Sequence, residues 1–402
     1  MIAHFADFIA ASPSAFHAAD TVAARLTSEG FLLDDGSVAT APGGHVLVRD
    51  GAVIAWWVPE NAPTHVRVVG SHTDSPGFML KPVPDFQREG YRQAAVEVYG
   101  GPILTSWFDR DLEFAGRVVT TDGNEHLVRT GPVARIPNLA IHLYRADAPE
   151  LDRQQHTAPL VGVDVPLLQA AAESAGIDAS EVVAHELISV DTQRAEVIGE
   201  YFAAGRLDNL TSVWASLEAL LAARGNAQEM LVLAAFNHEE VGSASTSGAG
   251  GPLLERVLYA LAATIGDPAV VMSRSIQVSA DAAHAVHPNY PAKHDPTHRP
   301  VLNQGPVMKV NANQRYASNA RTEAEWVRAC RAAEVPSQVF VGNNSVPCGS
   351  TIGPISSTRL GLPTVDVGVP LLSMHSAREL CGVADMEYFR RALTAFYAGS
   401  TL

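Results

Sequence analysis

A chain of 402 residues is too long for one ordinary hydrophobic core, so two domains, or one large domain carrying an insertion, are expected. A formal charge of −15 argues against nucleic-acid and membrane-surface binding, which need basic patches, and 47% hydrophobic against 18% charged residues is a globular composition. Three cysteines without C-x-x-C spacing give no disulfide framework, the first residues lack the basic and long apolar regions of a signal peptide, and no apolar run reaches transmembrane length, so a soluble protein of the cytoplasm is expected.

Residues Ile2 to Phe31 read as helical. Ser12-Pro13-Ser14 offers an N-cap followed by proline at the first helical position, Ala18, Val22, Ala23 and Leu26 recur at helical spacing, and Gly30 is the expected stop. Between Gly44 and Pro59 two apolar runs flank Asp50-Gly51, a hairpin signal. Val66 to Gly77 is a strand followed by polar groups on a turn, with His72 and Asp74 two apart. A lone histidine at a strand end is more often satisfied by hydrogen bonds; here the nearby Asp74 could orient it as a metal ligand. From about 84 to 201 short alternating runs punctuated by Gly-Gly, Asp-Gly and Gly-Pro predict an antiparallel β insertion with one helical piece, Val165 to Ala175.

A patterned helix comes next, with Leu210, Val213, Leu217, Leu220 and Leu221 on one face and Asp208 at its first turn. Asp208 is ordinarily an N-cap aspartate; the alternative is a carboxylate shared by two metal ions. The apolar run Leu231 to Phe236 is expected to be a buried strand, and Glu239 and Glu240 come directly after it. Adjacent carboxylates repel unless a cation sits there: one can ligate a divalent ion while its neighbour works on the water that ion activates. Asp281 ends a third alternating run, and His375 lies just beyond the strand signal Pro363 to Pro370. Arg378 and Glu379 read as the opening turn of a last helix that includes Tyr388, Phe389, Ala392 and Leu393. His287, His294 and His298, in a proline-rich loop, receive no role.

His72, Asp208, Glu240, Asp281 and His375 thus fall where an α/β sheet would gather them, with Glu239 beside them. Nitrogen and oxygen donors without thiolate suit zinc, with manganese or cobalt as substitutes. One shared carboxylate, with one histidine and one further carboxylate for each ion, builds a two-metal hydrolytic site.

Motifs spread over nearly the whole chain carry a resemblance. His72-Thr-Asp74-Ser-Pro, Trp107-Phe-Asp-Arg-Asp111-Leu, Leu139-Ala-Ile-His142-Leu, Arg206-Leu-Asp208-Asn, Asn237-His-Glu239-Glu240-Val-Gly-Ser, Ser279-Ala-Asp281-Ala-Ala-His284, Lys309-Val-Asn-Ala-Asn-Gln-Arg-Tyr316 and Met374-His375-Ser closely resemble the M18 metalloaminopeptidases, the family that includes aspartyl aminopeptidase. The resemblance implies a mixed-sheet α/β zinc-peptidase catalytic domain, residues 1–83 and 202–402, with an inserted, mainly β dimerisation domain, 84–201. It implies two zinc ions per chain, one held by His72, Asp208 and Asp281, the other by Asp208, Glu240 and His375. Glu239 would be the general base and Asp74 the support of His72. His284, Lys309 and Tyr316 fall on substrate-contacting positions, and His142 on one that reaches into a neighbouring subunit's site. The implied assembly is a homo-oligomer, a tetrahedral dodecamer built from dimers. Pro102 stands where some members carry a third glycine, a departure expected to touch loop geometry only.

The expected function is removal of N-terminal residues, acidic ones by preference, from peptides. The rivals are a deacylase or carboxypeptidase with a similar zinc pair, which would need a cationic clamp such as Lys309 or Arg315, and a non-catalytic peptide-binding or cargo protein, which would not need Glu239.

Overall fold

The computed structural model describes residues 1–144 and 150–399. At its centre is a nine-stranded mixed sheet in the order Leu32–Leu33, Gly43–Arg49, Ala52–Val58, Met230–Phe236, Val66–His72, Ile276–Ala280, Thr364–Gly368, Val307–Val310, Gln338–Val341. The middle four run parallel. Parallel strands are covered on both faces and read as unbroken apolar runs; Met230–Phe236 is buried at every residue. Phe236 pairs with His72, and Ser279 with both Gly70 and Asp366. These strands therefore finish nearly level, and the residues just beyond their ends line up along one edge.

Alternate residues of these strands feed two cores. Val69, Leu231 and Leu233 pack with the helices Leu207–Ala223 and Val383–Ala398 on one face. Val68, Val232 and Ala234 pack with Leu253–Ala263 and Ile352–Leu360 on the other. Leu210, Leu217 and Leu220 are at most 1% exposed, each worth roughly 1.5–3 kcal/mol of transfer free energy. The hairpin forms as predicted: its two-residue turn takes Asp50 at φ 49° and Gly51 at φ 76°, the left-handed pair that matches strand twist.

The β-rich region is a second, seven-stranded antiparallel sheet. Its long strands are Gly77–Arg88, Tyr91–Tyr99, Asp111–Thr120 and Val182–Asp191, and the last pairs with both Gly77–Arg88 and Asp111–Thr120. Phe78, Leu112, Phe114 and Leu187 form its separate core, and its helix is Leu167–Ser174. The strand Gly77–Arg88 runs across position 84, so the chain is already in this sheet before the expected start of the insertion. A third, five-stranded sheet joins Glu196–Ile198, Tyr201–Ala204, Glu379–Gly382, Pro370–Leu372 and Ala283–His284. Arg117 ties the second sheet to the hairpin and the N-terminus: it pairs with Glu125, Glu186 and, at 2.9 Å, Asp50, and stacks 4.5 Å over Phe16.

Two local expectations differ from the structure. The N-terminal helix is two helices, Ile2–Ala11 and Ala15–Ser28, and the cap is Ser14, whose hydroxyl accepts from His17 N; Pro13 lies outside the helix instead of opening it. Arg378 and Glu379 do not start the last helix, because Glu379 opens a strand that pairs with Tyr201–Ala204 and the helix begins at Val383. His142 sits on an exposed turn. Among the described residues no helix is long and apolar enough to cross a membrane.

Candidate metal centre

His72 closes its strand, Glu239 and Glu240 occupy a short 3-10 turn after Phe236, and Asp281 comes directly after Ala280. The turn is framed by left-handed residues, His238 at φ 64° and Gly242 at φ 99°. Asp208 arrives from the other side. Arg206, at φ 61°, precedes it, and Asp208 itself leaves helical geometry at φ −82°, ψ 101°, with no side-chain cap at that helix start. The buried Oδ1 of Asp208 has no hydrogen-bond partner, so that oxygen caps no helix N–H. His375 comes one short strand later than the sequence pattern implies, after Pro370–Leu372, in a turn where it takes φ 68°.

These five residues converge. Asp208 Oδ1 lies 3.3 Å from His72 Nε2, and Asp208 Oδ2 lies 3.4 Å from His375 Nε2, so the carboxylate faces one imidazole with each oxygen. Asp281 Oδ1 is 3.4 Å from His72 Nε2, and Glu240 Oε2 is 3.4 Å from His375 Nε2. Glu239 Oε2 stands back at 4.0 Å from His72. His72 and His375 direct their Nδ1 atoms at the carbonyls of Asp74 and Gly101, both at 3.0 Å, which leaves each Nε2 facing the carboxylates.

The donor set fits divalent cations. Donor atoms of His72, Asp208 and Glu240 lie within 4.8 Å of one another, and the buried Asp208 Oδ1 and Glu240 Oε1 have no hydrogen-bond partner. Orphaned buried carboxylate oxygens are costly unless a cation meets them. The electrostatics agree. Burial disfavours charge on His375, yet Asp208, Glu240 and the Gly101 carbonyl outweigh it and push the imidazole up to about 10. His72 is likewise held well above its usual value against burial, by Asp208, Asp281 and Asp74. Glu240 is pushed well up, by burial first and Asp208 next. Without a metal, protons therefore take the place of the cation. Below about pH 10 His375 holds a proton that an incoming ion must displace, so affinity for the ion should rise as pH rises. Calorimetry in buffers of different ionisation enthalpy is expected to register net proton release on metal uptake at pH 7; uptake with no release would contradict the assignment.

A cleft of about 350 Å³ opens over Asp208, Glu239, Glu240, Asp281 and His375, and His284, Lys309 and Tyr316 line it too. Lys309 is only 2% exposed, so it is not an ordinary surface lysine: its Nζ donates to the Ala282 carbonyl at 3.1 Å, lies 3.6 Å from Asp281 and sits 5.2 Å over the Tyr316 ring. Asp74 does more than stand by His72, from whose Nδ1 its carboxylate is 3.4 Å distant. Its two oxygens accept from the backbone N–H groups of Glu239 and Glu240, both at 3.1 Å, and Tyr99 donates its hydroxyl at 2.8 Å. His142 is not among these residues; it is exposed beside Leu139, Ile141 and Leu143, which are 59%, 67% and 75% exposed.

Sequence reasoning missed Tyr99 and the Gly101 carbonyl, which the second sheet and its adjoining loop bring to the centre. Only the Gly100-Gly101 pair signalled them. A Cβ on Gly100 would come within 3.2 Å of Glu240 Cβ, and Gly100 takes φ 67°. Pro102 thus adjoins a loop that touches Glu240 and His375.

Residues 8–397 match the family model described as aminopeptidase I zinc metalloprotease (M18). The chain is 44% identical over 412 residues to a protein of Streptomyces coelicolor named "Probable M18 family aminopeptidase 2", covering 97% of this chain and 95% of the relative. It is 45% identical over 421 residues to a protein of the same name from Pseudomonas putida, covering 98% and 97%. Among solved structures, one described as the Ape4 and Nbr1 complex superposes with TM-score 0.93 at 35% identity, covering 98% of this chain and 85% of that one. The mApe1 dodecamer of S. cerevisiae superposes with TM-score 0.86 at 27% identity, covering 98% and 95%.

Proposed function

The chain belongs to the M18 family of zinc metalloproteases, and from that premise we propose that it is an aminopeptidase that removes N-terminal residues, acidic ones by preference, from peptides. The observation that carries this reading is the division of Asp208 between two imidazoles, with a second carboxylate beside each and Glu239 standing apart.

His72, Asp208 and Asp281 would hold one zinc ion, and Asp208, Glu240 and His375 the other. Bound zinc polarises a peptide carbonyl and makes water nucleophilic near neutral pH. Glu239 takes a proton from the attacking water and returns it to the departing amine. Asp74, pinned by Tyr99, holds the backbone of the Glu239–Glu240 turn so that this carboxylate meets the water at a fixed angle. Lys309, with His284 and Tyr316 across the cleft, offers a cation to an acidic substrate side chain, at the cost of loosening its contact with Asp281. The thiols of Cys330, Cys348 and Cys381 are unpaired, in keeping with a cytoplasmic setting.

The test compares aminoacyl with N-acyl chromogenic substrates, with and without chelator. Aminoacyl substrates should be cleaved, Asp and Glu fastest; chelation should abolish turnover and zinc, cobalt or manganese restore it. Cleavage of the N-acyl series would favour a deacylase, and full activity in metal-free protein would remove the reading.

Residues 84–201 would form the dimerisation unit of a homo-oligomer, a dodecamer built from dimers, in which His142 completes a neighbour's site. The exposed apolar residues around His142 support this, since such a turn on a lone chain lies wet. A neighbour's imidazole could donate a hydrogen bond to the carbonyl oxygen as it gains charge, and losing one such donor costs about 2.7–4 kcal/mol of barrier. His142→Ala should therefore lower turnover with metal content unchanged. Co-expressed with Glu239→Gln chains it should recover part of the lost activity; mixed oligomers no more active than the sum of the parents would rule out action between subunits.

A further inference from the structure

Glu379 is 2% exposed, has no part in the hydrolytic chemistry, and touches the backbone of two candidate ligands at once. Its Oε2 accepts from Asp208 N at 3.0 Å and its Oε1 from His375 N at 2.8 Å. We propose that Glu379 is a positioning residue that sets Asp208 against His375 and thereby builds one half of the metal centre, the half these two share with Glu240. The inference rests on the two-ion reading.

Both backbones need such a support. Asp208 has left helical geometry, and His375 is a left-handed residue two positions after another, Ser373 at φ 58°. Neither N–H can rely on a regular ladder at these angles, and non-glycine residues hold such conformations only where the surroundings over-determine them. Glu379 itself is fixed. It opens the strand Glu379–Gly382 and pairs with Ala204, four residues before Asp208. Between them Gly205 lies so close to Ala377 that a Cβ would meet its carbonyl oxygen at 2.7 Å. The two ligand-bearing segments are thus stitched together, and one planar carboxylate spans the remaining distance.

The other half is held differently. His72 ends a fully paired strand of the central sheet, its Nδ1 is taken by the Asp74 carbonyl, and Asp281 N donates to Val367 O within that sheet. Asp208 serves both halves, but Glu379 also holds His375, so disturbing Glu379 should weaken the ion of that half far more than the other. Glu379→Gln keeps the shape, but its amide NH₂ cannot accept, so one of the two backbone N–H groups faces a donor.

Metal-free protein is titrated with cobalt(II), followed by visible absorption and calorimetry. Wild type should bind two ions. Glu379→Gln should lose much less affinity for the first ion than for the second, which should bind at least about tenfold more weakly, the scale seen when the groups that orient metal ligands are lost. Its kcat should fall at low metal and recover in excess, with KM unchanged. A purely structural role would lower the melting temperature without separating the two ions. Two ions bound as in wild type, or both weakened alike in folded protein, would overturn the proposal. Glu379→Asp, whose carboxylate is one methylene short, should split the ions in the same way; failure of both variants to fold would make Glu379 a folding residue and also overturn it. A wild type that binds fewer than two ions would instead sink the two-ion reading on which the proposal stands.

Discussion

Replacing Glu239 with Gln is expected to cut turnover by at least about a hundredfold while leaving the fold and the metal content intact, the usual scale for losing a general base. Glu239 is separable from the ligands because its carboxylate stands 4.0 Å from His72 Nε2, farther than any other acid of the cluster that faces a histidine. Burial pushes it up to about 7; His72 opposes the shift, and Asp281, Asp208 and Asp74 reinforce it. A raised carboxyl is protonated below its pKa and useless as a base there, so activity should climb as pH rises through the acid limb. Cations between these carboxylates favour the ionised form, which sets that limb below about 7 in the loaded enzyme. The measurements are kcat against pH and metal content by elemental analysis. A Gln variant with near-normal turnover and full metal content would end the assignment.

Asp208→Asn should be as damaging for a different reason. Asparagine keeps one acceptor oxygen, but the other position becomes an NH₂ directed at an imidazole that wild type meets with Oδ1 or Oδ2 at 3.3 or 3.4 Å. The charge that both halves share is lost together with one donor. We expect the variant to retain at most one ion per chain and to lose at least about a hundredfold in affinity for metal, the upper end of what even indirect supports of a ligand are worth. Glu240→Gln, at a residue whose carboxylate comes within 4.0 Å of His375 but not of His72, should cost one ion alone. Equal metal content in Asp208→Asn and wild type would show that Asp208 does not join the two halves.

The sequence is most legible where chemistry comes immediately after a strand. His72, Glu239, Glu240 and Asp281 each lie at or just past the end of an apolar run, and parallel pairing brings those run-ends level, so one-dimensional pattern translates into a shared edge. Asp208 is half visible: helical periodicity locates it but cannot tell a cap from a ligand, because that depends on what its carboxylate meets, here two imidazoles distant in sequence. His375 is displaced from its expected place by one short strand that crosses into another sheet, a change of partner that apolar alternation does not encode. Only the Gly100-Gly101 pair hints at Tyr99 and Gly101, and Glu379 is not visible as a site residue at all. They reach Asp74, His375 and Asp208 across separations of 25, 274 and 171 positions, and they do so by side-chain-to-side-chain or side-chain-to-backbone bonds, which leave no periodic trace. Lys309 would pass in sequence for a solvent-exposed lysine, the one polar residue of an otherwise apolar four-residue strand; pairing with Thr364–Gly368 sets it opposite Asp366, inside the protein.

The proposed ligand positions run from 72 to 375, and the carboxylate that divides itself between two imidazoles comes from a segment lying between them. On the ribosome such a chain is harmless for almost the whole of its synthesis. Its amino-terminal part can collapse as it emerges, but on the proposed ligand set hydrolytic competence waits for the turn carrying His375, near the end of translation. A peptidase assembled this way has no working site of its own until that turn has been made.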